Sequence, residues 1–376
     1  MRIGFDARWY NDSGVGTYTV ELLRALAALS RDFEFIVYED QRNPVPGLSE
    51  TDVQRVNLRS AKYSISEQRE LAERCRRDKL DLIHCPFYVV PLTAGCPVVV
   101  TIHDLIPFLF PIYSPAKRLA VKLGYRMAVW KAHHIIADSA NTAVDIQRLL
   151  RVPAERVTSV SIAAGPAYGA SAAPEELGYL SRKYHLQQPY AVAASARNWR
   201  TKNLQSALRA LERARAKSGI EFQTLVYGPP DGLIAAGGED SWRGIGLRRA
   251  GFVETSDLAL IFRHARVFLM PSLYEGFGLP ILEAMACGCP VVTSTGGSLP
   301  EVAGSGAQCF DPFDIDGMGE AIAQLLLSAE VHERWRVSAL SRAKEFSWER
   351  AARQTLSVYH RTYEQAYARS RAASNS

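Results

Sequence analysis

The sequence predicts two consecutive α/β domains, each built on a parallel sheet with helices on both faces. Short apolar, β-branched runs alternate with longer amphipathic segments, and this alternation stops once and then restarts. Such a rhythm is typical of a parallel sheet covered by helices. The chain of 376 residues is long enough for about two domains of ~150 residues each. Its composition, 47% hydrophobic and 22% charged, is that of a globular protein.

The first part of the chain contains six predicted strands. Helical spacing of apolar residues separates them, most clearly in the amphipathic segments 17–28 and 117–131. The strands are predicted at 2–5, 33–38, 80–85, 98–102, 134–138 and 157–162.

A segment rich in glycine, proline and alanine, 163–174, interrupts this rhythm and is predicted to link the two domains. The alternation then restarts with strands at 190–194, 222–227, 267–270 and 290–293, separated by helices at 203–217, 255–263 and 280–286. The chain ends in a long helical stretch, 351–372, where Tyr359, Tyr363 and Tyr367 share one face. Such a stripe must pack against another part of the protein.

Several classes of protein are excluded by composition. The chain opens on a strand without a basic head and apolar run, so no secretion signal is predicted, and no stretch approaches the ~20 apolar residues of a membrane span. Six scattered cysteines indicate reduced core thiols, and we expect a cytoplasmic protein. Cys287 and Cys289 lack the partners that a zinc site needs.

The net charge of +5 is modest, and no Lys/Arg-rich arm suggests binding to nucleic acid. An anionic small substrate or a membrane surface is left open.

The strongest motif is the segment 271–290, where a strand leads through a glycine-containing loop into a helix. Pro280 suits the first helical position because proline fixes φ and needs no amide proton. Amides of Phe277, Gly278 and Leu279 at a helix N-terminus form a site for phosphate or sugar oxygens, and Gly276 lets the backbone approach a ligand.

Two carboxylates, Glu275 and Glu283, bracket this loop. Each can accept hydrogen bonds from paired sugar hydroxyls. Taken alone, each is better explained by an ordinary role, Glu283 in the first helical turn and Glu275 as a solvated acid. The surrounding glycines and proline favour a functional site.

A second motif follows the first strand of the second domain. Arg197 and Lys202 lie on a loop before a helix, where the two cations can clamp a diphosphate. An exposed basic loop is the alternative, and Arg200 is a nearby competitor.

In the first domain, Gly14 and Gly16 follow the first strand. They can bring amides to a phosphate or simply form a tight turn, because the third glycine and downstream acid of a dinucleotide fingerprint are missing. His103 and Asp104 end the strand 98–102, at the edge where parallel sheets bind ligands. His103 is therefore a candidate for catalysis or sugar binding as well as for a structural role, with Asp104 expected to orient it.

Two further patterns have ordinary explanations. Arg118, Lys122 and Arg126 form one face of the helix 117–131, which we favour as a solvated face over a contact with a membrane surface or an anionic acceptor. Asp314 and Asp316 resemble a metal-binding pair, but no strand precedes them, so we predict turn and helix-start chemistry and no metal.

Together these motifs resemble those of the retaining glycosyltransferases of family 4, which have the GT-B architecture of two Rossmann-like domains facing a cleft. The resemblance covers nearly the whole chain, and the block 271–290 is its most specific part. It also includes the segments 13–18, 101–105, 202–203, 298–302 and 346–348.

The resemblance implies domain limits and residue roles. An N-terminal acceptor-binding domain would span 1–168, a nucleotide-sugar-binding domain 169–354, and a terminal helix 355–376 would pack back on the first domain. By this resemblance, Glu283 would hold the ribose, and Arg197 and Lys202 would hold the diphosphate. Glu275 and the amides after it would hold the donor sugar, and His103 would contact that sugar near its anomeric centre. Gly14 and Gly16 would close the site.

The implied reaction transfers a hexosyl group, with retention and without a metal or cofactor, from GDP-mannose or a UDP-hexose. The acceptor would be a glycan or a lipid-linked saccharide, reached in the cytoplasm or at the inner face of the membrane. The spacing of Gly14 and Gly16 matches a subgroup that transfers mannosyl and similar groups to polysaccharide precursors. The alternatives are a non-catalytic sugar-nucleotide-binding protein and a nucleotide-sugar epimerase on the same fold.

Overall fold

A computed structural model describes residues 1–11, 13–29, 32–48, 53–197 and 199–374. Asp12 and Asn198, which belong to two of the motifs above, lie outside these ranges. The chain divides into two compact units, one comprising Met1–Ile162 with Ser347–Ser376, the other Ala163–Phe346. The boundaries expected from the sequence, 168/169 and 354/355, lie a few residues further along the chain.

The first unit is built on a parallel sheet with the strand order β3-β2-β1-β4-β5-β6-β7. Its strands are β1 (Arg2–Asp6), β2 (Glu34–Asp40), β3 (Gln54–Leu58), β4 (Leu82–Cys85), β5 (Val98–Ile102), β6 (His134–Ala137) and β7 (Val157–Ser159). Its helices are α1 (Ser13–Leu29), α2 (Ile65–Arg77), α3 (Ile106–Leu109), α4 (Pro115–Lys131) and α5 (Ala140–Leu150), with short 3₁₀ turns at Ala7–Trp9 and Ala154–Arg156.

The second unit repeats this plan with the order β10-β9-β8-β11-β12-β13, again all parallel. Its strands are β8 (Tyr190–Ala194), β9 (Gln223–Tyr227), β10 (Leu247–Gly251), β11 (Val267–Met270), β12 (Val291–Ser294) and β13 (Gln308–Phe310). Its helices are α6 (Glu176–Tyr184), α7 (Trp199–Lys202), α8 (Leu204–Ser218), α9 (Asp231–Ala235), α10 (Thr255–His264), α11 (Leu279–Ala286), α12 (Leu299–Ala303), α13 (Ile315–Leu327) and α14 (Ala329–Ala343), with a 3₁₀ segment at Glu239–Ile245.

The central strands form because they are apolar throughout, as expected for strands buried on both faces. All residues of β5 and β11 are buried. Helix starts are set by local capping: Ser64 accepts a hydrogen bond from the amide of Glu67, and Ser139 accepts one from Thr142. The predicted pair of α/β sheets is confirmed.

The last helix, α15 (Trp348–Ser374), belongs to the first unit. The Tyr359 side chain is fully buried, and its hydroxyl lies 2.6 Å from Nδ1 of His84 in β4. The rings of Tyr363 and Tyr367 lie 4.3 Å apart on the same helix. Tyr359, the first tyrosine of the stripe, therefore packs on the first unit, as predicted.

Candidate active site

The predicted turn between β11 and α11 is present. Gly278 has φ +92° and precedes the helix, which begins at Leu279 with Pro280 as its second residue. A Cβ on Gly278 would lie 2.7 Å from Cδ2 of Leu299, so this position requires glycine for both conformation and space. The first amides of a helix have no acceptor within the helix and are available to a ligand.

Lys202 and Glu275 come together. Nζ of Lys202 lies 2.7 Å from Oε1 of Glu275, and the two side chains are 18% and 12% exposed. They follow β8 and β11, which are neighbouring strands. The parallel sheet therefore brings two residues that are far apart in sequence to one edge.

A set of backbone contacts holds these two loops in register. Asn203, in the left-handed conformation, donates from Nδ2 to the carbonyl oxygens of Pro271 and Pro312 at 3.1 and 2.8 Å. The amide of Leu273 donates a hydrogen bond of 2.7 Å to the carbonyl oxygen of Thr201. These contacts hold the loops that position Lys202 against Glu275.

Hydrogen bonds from the loop after β12 hold the backbone of Glu275. The sequence motifs did not predict this contact. Both the amide and the hydroxyl of Ser298 donate to the carbonyl oxygen of Glu275, at 3.1 and 3.0 Å. Gly297 has φ +62°, and a Cβ there would lie 2.5 Å from the same oxygen. The pair of glycines at 296 and 297, shortly after a strand, was the feature of the sequence that could have indicated this close approach.

Glu283 lies on α11 and is 8% exposed. Burial raises the pKa of its carboxyl to about 7, against the opposing effects of a hydrogen bond from Tyr168 and the charge of Lys202. Tyr168 comes from the segment predicted to be a linker, and no motif in the sequence had indicated a contact with Glu283.

The other predicted residues of this unit are placed differently. Arg197 is exposed and makes no hydrogen bond or ion pair with the residues that the structure describes. Arg200 lies over the ring of Trp199, with its guanidinium carbon 4.9 Å from the ring centroid. Phe277 is buried edge-on against Phe346, with ring centroids 5.9 Å apart, so its side chain belongs to the core.

In the first unit, Gly14 and Gly16 lie inside the first turn of α1, not in a loop before it as expected. They have different surroundings. A Cβ on Gly16 would lie 1.9 Å from the carbonyl oxygen of Tyr10, whereas Gly14 has nothing within 4 Å. Gly16 is therefore required for packing, while the surface at Gly14 is open to a ligand.

His103 is held through both ring nitrogens. Nδ1 lies 2.6 Å from Oδ2 of Asp138, and Nε2 lies 2.7 Å from the carbonyl oxygen of Pro86. Both partners are acceptors, so this arrangement favours the doubly protonated ring. Burial lowers the pKa of His103, but Asp138 and the Pro86 carbonyl outweigh it, and the pKa is raised above its ordinary value.

The expectation that Asp104 orients His103 is therefore wrong. Asp138 holds the ring, and Asp104 accepts a hydrogen bond from the amide of Ile106 at 2.8 Å, where it starts α3. Asp138 follows the neighbouring strand β6, and its role was visible only once the sheet order was known.

The basic face of α4 is partly used inside the protein. Arg118 donates to the carbonyl oxygens of Pro107 and Phe108 at 2.9 and 3.0 Å, and Nζ of Lys122 lies 5.1 Å from the ring centroid of Phe108. Beside these residues, α4 exposes an apolar stripe made of Leu119, Leu123, Met127 and Trp130. Across the described ranges, every helix is too short or too polar to cross a bilayer.

Contrary to the sequence analysis, the strand β13 directly precedes the segment that holds the aspartate pair, but Asp314 has the predicted helix-start role. Asp314 caps α13 by accepting from the amide of Gly317 at 2.9 Å, and Asp316 forms an ion pair with Arg213. In the described residues, no three histidine, cysteine, aspartate or glutamate side chains are grouped so that they could hold a metal ion.

Comparison with known proteins gives the class. Residues 13–161 match the family model "Glycosyltransferase Family 4", and residues 188–328 match "Glycosyl transferases group 1". The chain is 30% identical over 374 residues to the O-antigen chain mannosyltransferase B of Escherichia coli, covering 93% of this chain and 96% of that protein.

Solved structures agree with the fold. Sucrose-phosphate synthase from Thermosynechococcus elongatus matches with a TM-score of 0.76 at 17% identity, over 97% of this chain and 100% of that one. Anabaena HepE in complex with UDP and glucose matches with a TM-score of 0.72 at 18% identity, over 95% and 99%. The two α/β units and these matches define a glycosyltransferase of the GT-B architecture. The chain belongs to glycosyltransferase family 4.

Proposed function

We propose that this glycosyltransferase moves a mannosyl or related hexosyl group, with retention of configuration and without a metal, from GDP-mannose or a UDP-hexose to a glycan or lipid-linked saccharide. The observation that supports it most directly is the Lys202–Glu275 pair at the start of α11. The similarity to an O-antigen chain mannosyltransferase favours mannose and a polysaccharide acceptor.

In this proposal the donor's diphosphate binds Lys202, Arg197 and the amides of Phe277, Gly278 and Leu279. Cations and helix N-terminal amides stabilise the charge that develops on the leaving group. Glu283 accepts hydrogen bonds from the ribose hydroxyls, and Glu275, released from Lys202, accepts them from the sugar, while Gly276 permits close approach. For His103, as a cation, and for Gly14, the family resemblance implies roles at the sugar and at the diphosphate.

The reaction itself exchanges one bond for another. The acceptor hydroxyl oxygen bonds to the anomeric carbon on the face that the leaving group vacates. The bond from that carbon to the β-phosphate oxygen breaks, and its electron pair stays on the phosphate. The departing diphosphate then takes the acceptor's proton, so no protein base is needed.

The test is a set of single variants assayed for nucleotide binding and for turnover. Glu283→Ala should weaken nucleotide binding, whereas Glu275→Ala should mainly suppress turnover. Transfer by the wild type should persist in excess chelator. Variants that bind and turn over like the wild type would refute the site, and activity lost in chelator but restored by Mn²⁺ would refute metal independence. Donor consumption without an acceptor product would indicate an epimerase or hydrolase.

A further inference from the structure

Arg342, near the end of α14, joins parts of the second unit that are distant from it in sequence. Its Nε donates to the carbonyl oxygen of Val302 at 3.0 Å, and its Nη2 donates to that of Glu301 at 2.5 Å. Both carbonyl groups belong to the end of α12, and the last carbonyl groups of a helix have no amide partner within it. The guanidinium also forms an ion pair with Glu345, and the Arg342 side chain is 19% exposed. A planar group with several donors suits such a double contact.

Two glycines after α12 leave room for this side chain. A Cβ on Gly304 would lie 2.7 Å from Nε of Arg342, and a Cβ on Gly306 would lie 2.4 Å from Cβ of Arg342. Any other residue at these positions would push the arginine away from the helix end that it caps. The backbone after α12 is therefore shaped around Arg342.

The helix that Arg342 caps is attached to the donor loop, which we define as residues 275–278. Ser298, directly before α12, donates from its amide and its hydroxyl to the carbonyl oxygen of Glu275 at 3.1 and 3.0 Å. Leu299, the first residue of α12, is fully buried, and its Cδ2 would lie 2.7 Å from a Cβ on Gly278. The position of α12 therefore determines the backbone at both ends of the donor loop.

The same guanidinium reaches the donor loop by a second route. Its central carbon lies 4.7 Å from the ring centroid of Phe346, within the ~6 Å of a cation–π contact. The Phe346 ring packs edge-on against Phe277, with centroids 5.9 Å apart and an interplanar angle of 86°. Phe277 is 5% exposed, so the residue whose amide is assigned to the diphosphate is fixed through its buried ring.

We infer that Arg342 is a positioning residue of the donor site: through α12 and through Phe346 it holds the donor loop in the shape that presents the amides of Phe277, Gly278 and Leu279 to the diphosphate. The inference rests on the proposed function for the donor, but the order of the loop can be measured without it. An arginine that only stabilises the fold is the alternative. Its loss would loosen the second unit evenly, whereas loss of a positioning residue affects the donor loop and donor binding first.

The experiment compares Arg342→Gln with the wild type. Local order is measured by hydrogen exchange, without ligand, at the amides of Ser298 and Ile281, which donate to the carbonyl oxygens of Glu275 and Gly278. Exchange there should be roughly tenfold faster in the variant, with exchange in β11 unchanged. GDP or UDP should bind roughly tenfold more weakly by calorimetry, and the donor KM should rise while the acceptor KM stays the same.

Other variants separate geometry from charge. Arg336→Gln removes the same charge from the same helix and also breaks an ion pair between residues three apart, with Glu333, and it should match the wild type in every measurement. Arg342→Lys keeps the charge but lacks the planar fork, so it should resemble Arg342→Gln. Phe346→Leu should reproduce part of the effect, and adding it to Arg342→Gln should give less than the sum of the two, because both act on one network.

Several results would overturn the inference. They are wild-type exchange and nucleotide affinity in Arg342→Gln, full recovery by Arg342→Lys, equal losses in Arg336→Gln, and exchange that rises in β11 as much as at Ser298 and Ile281. If Arg342→Gln does not fold, Phe346→Leu decides, and wild-type exchange and affinity in that variant would reject the inference.

Failure of the proposed function would look different. A wild type that binds neither GDP nor UDP would overturn the donor site itself, and with it the role of Arg342 in donor binding. Faster exchange confined to the amides of Ser298 and Ile281 would still show that Arg342 orders the loop. Normal nucleotide binding and normal exchange in Arg342→Gln would reject the inference and leave the proposed function standing.

Discussion

At the residue scale, the candidate donor site combines the ion pair of Lys202 and Glu275 with the carboxyl of Glu283, whose pKa burial raises to about 7. Glu275 forms an ion pair with Lys202 at 2.7 Å, so the diphosphate of the proposed donor would meet a lysine that already has a carboxylate partner. Glu283 lies nearby in sequence but in a different environment, because it is almost fully buried on α11. The two acids therefore have different surroundings despite belonging to one motif.

Glu283 predicts a specific dependence of stability on pH. Its folded pKa of about 7 lies above the ordinary value near 4.3, so its contribution to folding is full below about pH 4.3 and is lost as pH rises through 7. Glu283→Gln should therefore raise the free energy of unfolding relative to wild type at pH 8, by up to about 3 kcal/mol, and far less at pH 5.

The measurement is thermal or denaturant unfolding of both proteins at these two pH values. Glu175→Gln, at an exposed position in the same unit, is the control and should behave alike at both. An equal effect of Glu283→Gln at pH 5 and pH 8 would contradict the assignment. Nucleotide affinity should fall in the Gln variant, because a carboxylate is the better acceptor for ribose hydroxyls.

At His103, unlike Glu283, the charge of a neighbouring carboxylate outweighs the effect of burial on the pKa. Its pKa is raised because Asp138 and the Pro86 carbonyl outweigh burial, so the stabilisation by this pair is full below about pH 6.5 and is lost as pH rises through the folded pKa. Asp138→Asn should lower the titration midpoint of His103, measured by NMR, and should cost most stability at acidic pH. A midpoint unchanged by Asp138→Asn would mean that another group sets the charge.

At the scale of the elements, the sequence predicted the central strands well and missed three of the four edge strands. The bounds of β5, β8 and β11 agree with the prediction because these strands are continuous apolar runs buried on both faces. The strands β3, β10 and β13 lie at the edges of their sheets, and their residues are largely half-buried or exposed. These strands are defined by backbone hydrogen bonds to one neighbouring strand rather than by a pattern of hydrophobic residues.

The candidate site was predictable to a similar extent. Glycine-rich loops and their acids are local in sequence, so the segment 275–283 was found. The supports come from other strands: Ser298 follows β12, Asp138 follows β6 and Tyr168 precedes the second sheet. Their roles depend on the order of strands, which a single sequence leaves open.

The first turn of α1 offers a matched pair of substitutions. Gly16→Ala should destabilise the protein strongly, because its Cβ would lie 1.9 Å from the carbonyl oxygen of Tyr10, and such overpacking typically costs about 1–3 kcal/mol or more. Gly14→Ala meets open space and should leave stability unchanged or raise it by roughly 0.5–1 kcal/mol, since alanine favours helix.

The measurement is the free energy of unfolding of both variants, together with kcat for Gly14→Ala. Reduced turnover in a stable Gly14→Ala protein would fit close approach of the donor to this turn. A Gly14→Ala enzyme with wild-type kinetics would remove Gly14 from the site.

At the scale of the whole molecule, the returning terminal helix is part of the core of the first unit. The Tyr359 hydroxyl contacts His84 at 2.6 Å, His84 contacts the Thr101 hydroxyl at 2.8 Å, and Thr101 contacts the Tyr18 hydroxyl at 2.8 Å. This buried chain joins α15, β4, β5 and α1. The residues after Ser347 are therefore needed to complete a unit that begins at the N-terminus, and His103 packs edge-on against Tyr18, with ring centroids 4.8 Å apart.

The outer surface of α4 predicts an attraction to anionic membranes. Trp130 is 77% exposed within the apolar stripe, and Lys122 and Arg126 flank it. Each Lys or Arg near anionic headgroups contributes about 1 kcal/mol, so the two charges together correspond to about 30-fold in vesicle affinity. We predict salt-sensitive sedimentation with anionic vesicles that falls by this order in Lys122→Gln/Arg126→Gln and falls further with Trp130→Ala.

Arg118 is left unchanged in this test because its guanidinium holds the carbonyl groups of Pro107 and Phe108, so its loss would disturb the fold as well as the charge. Arg350→Gln/Arg353→Gln, at exposed positions of α15, removes the same number of charges and should sediment like the wild type. If both double variants lose binding equally, net charge rather than α4 attracts the membrane. Wild-type protein that ignores anionic vesicles at low salt would favour a soluble acceptor, and the basic face would then be the solvated helix surface that its sequence first indicated.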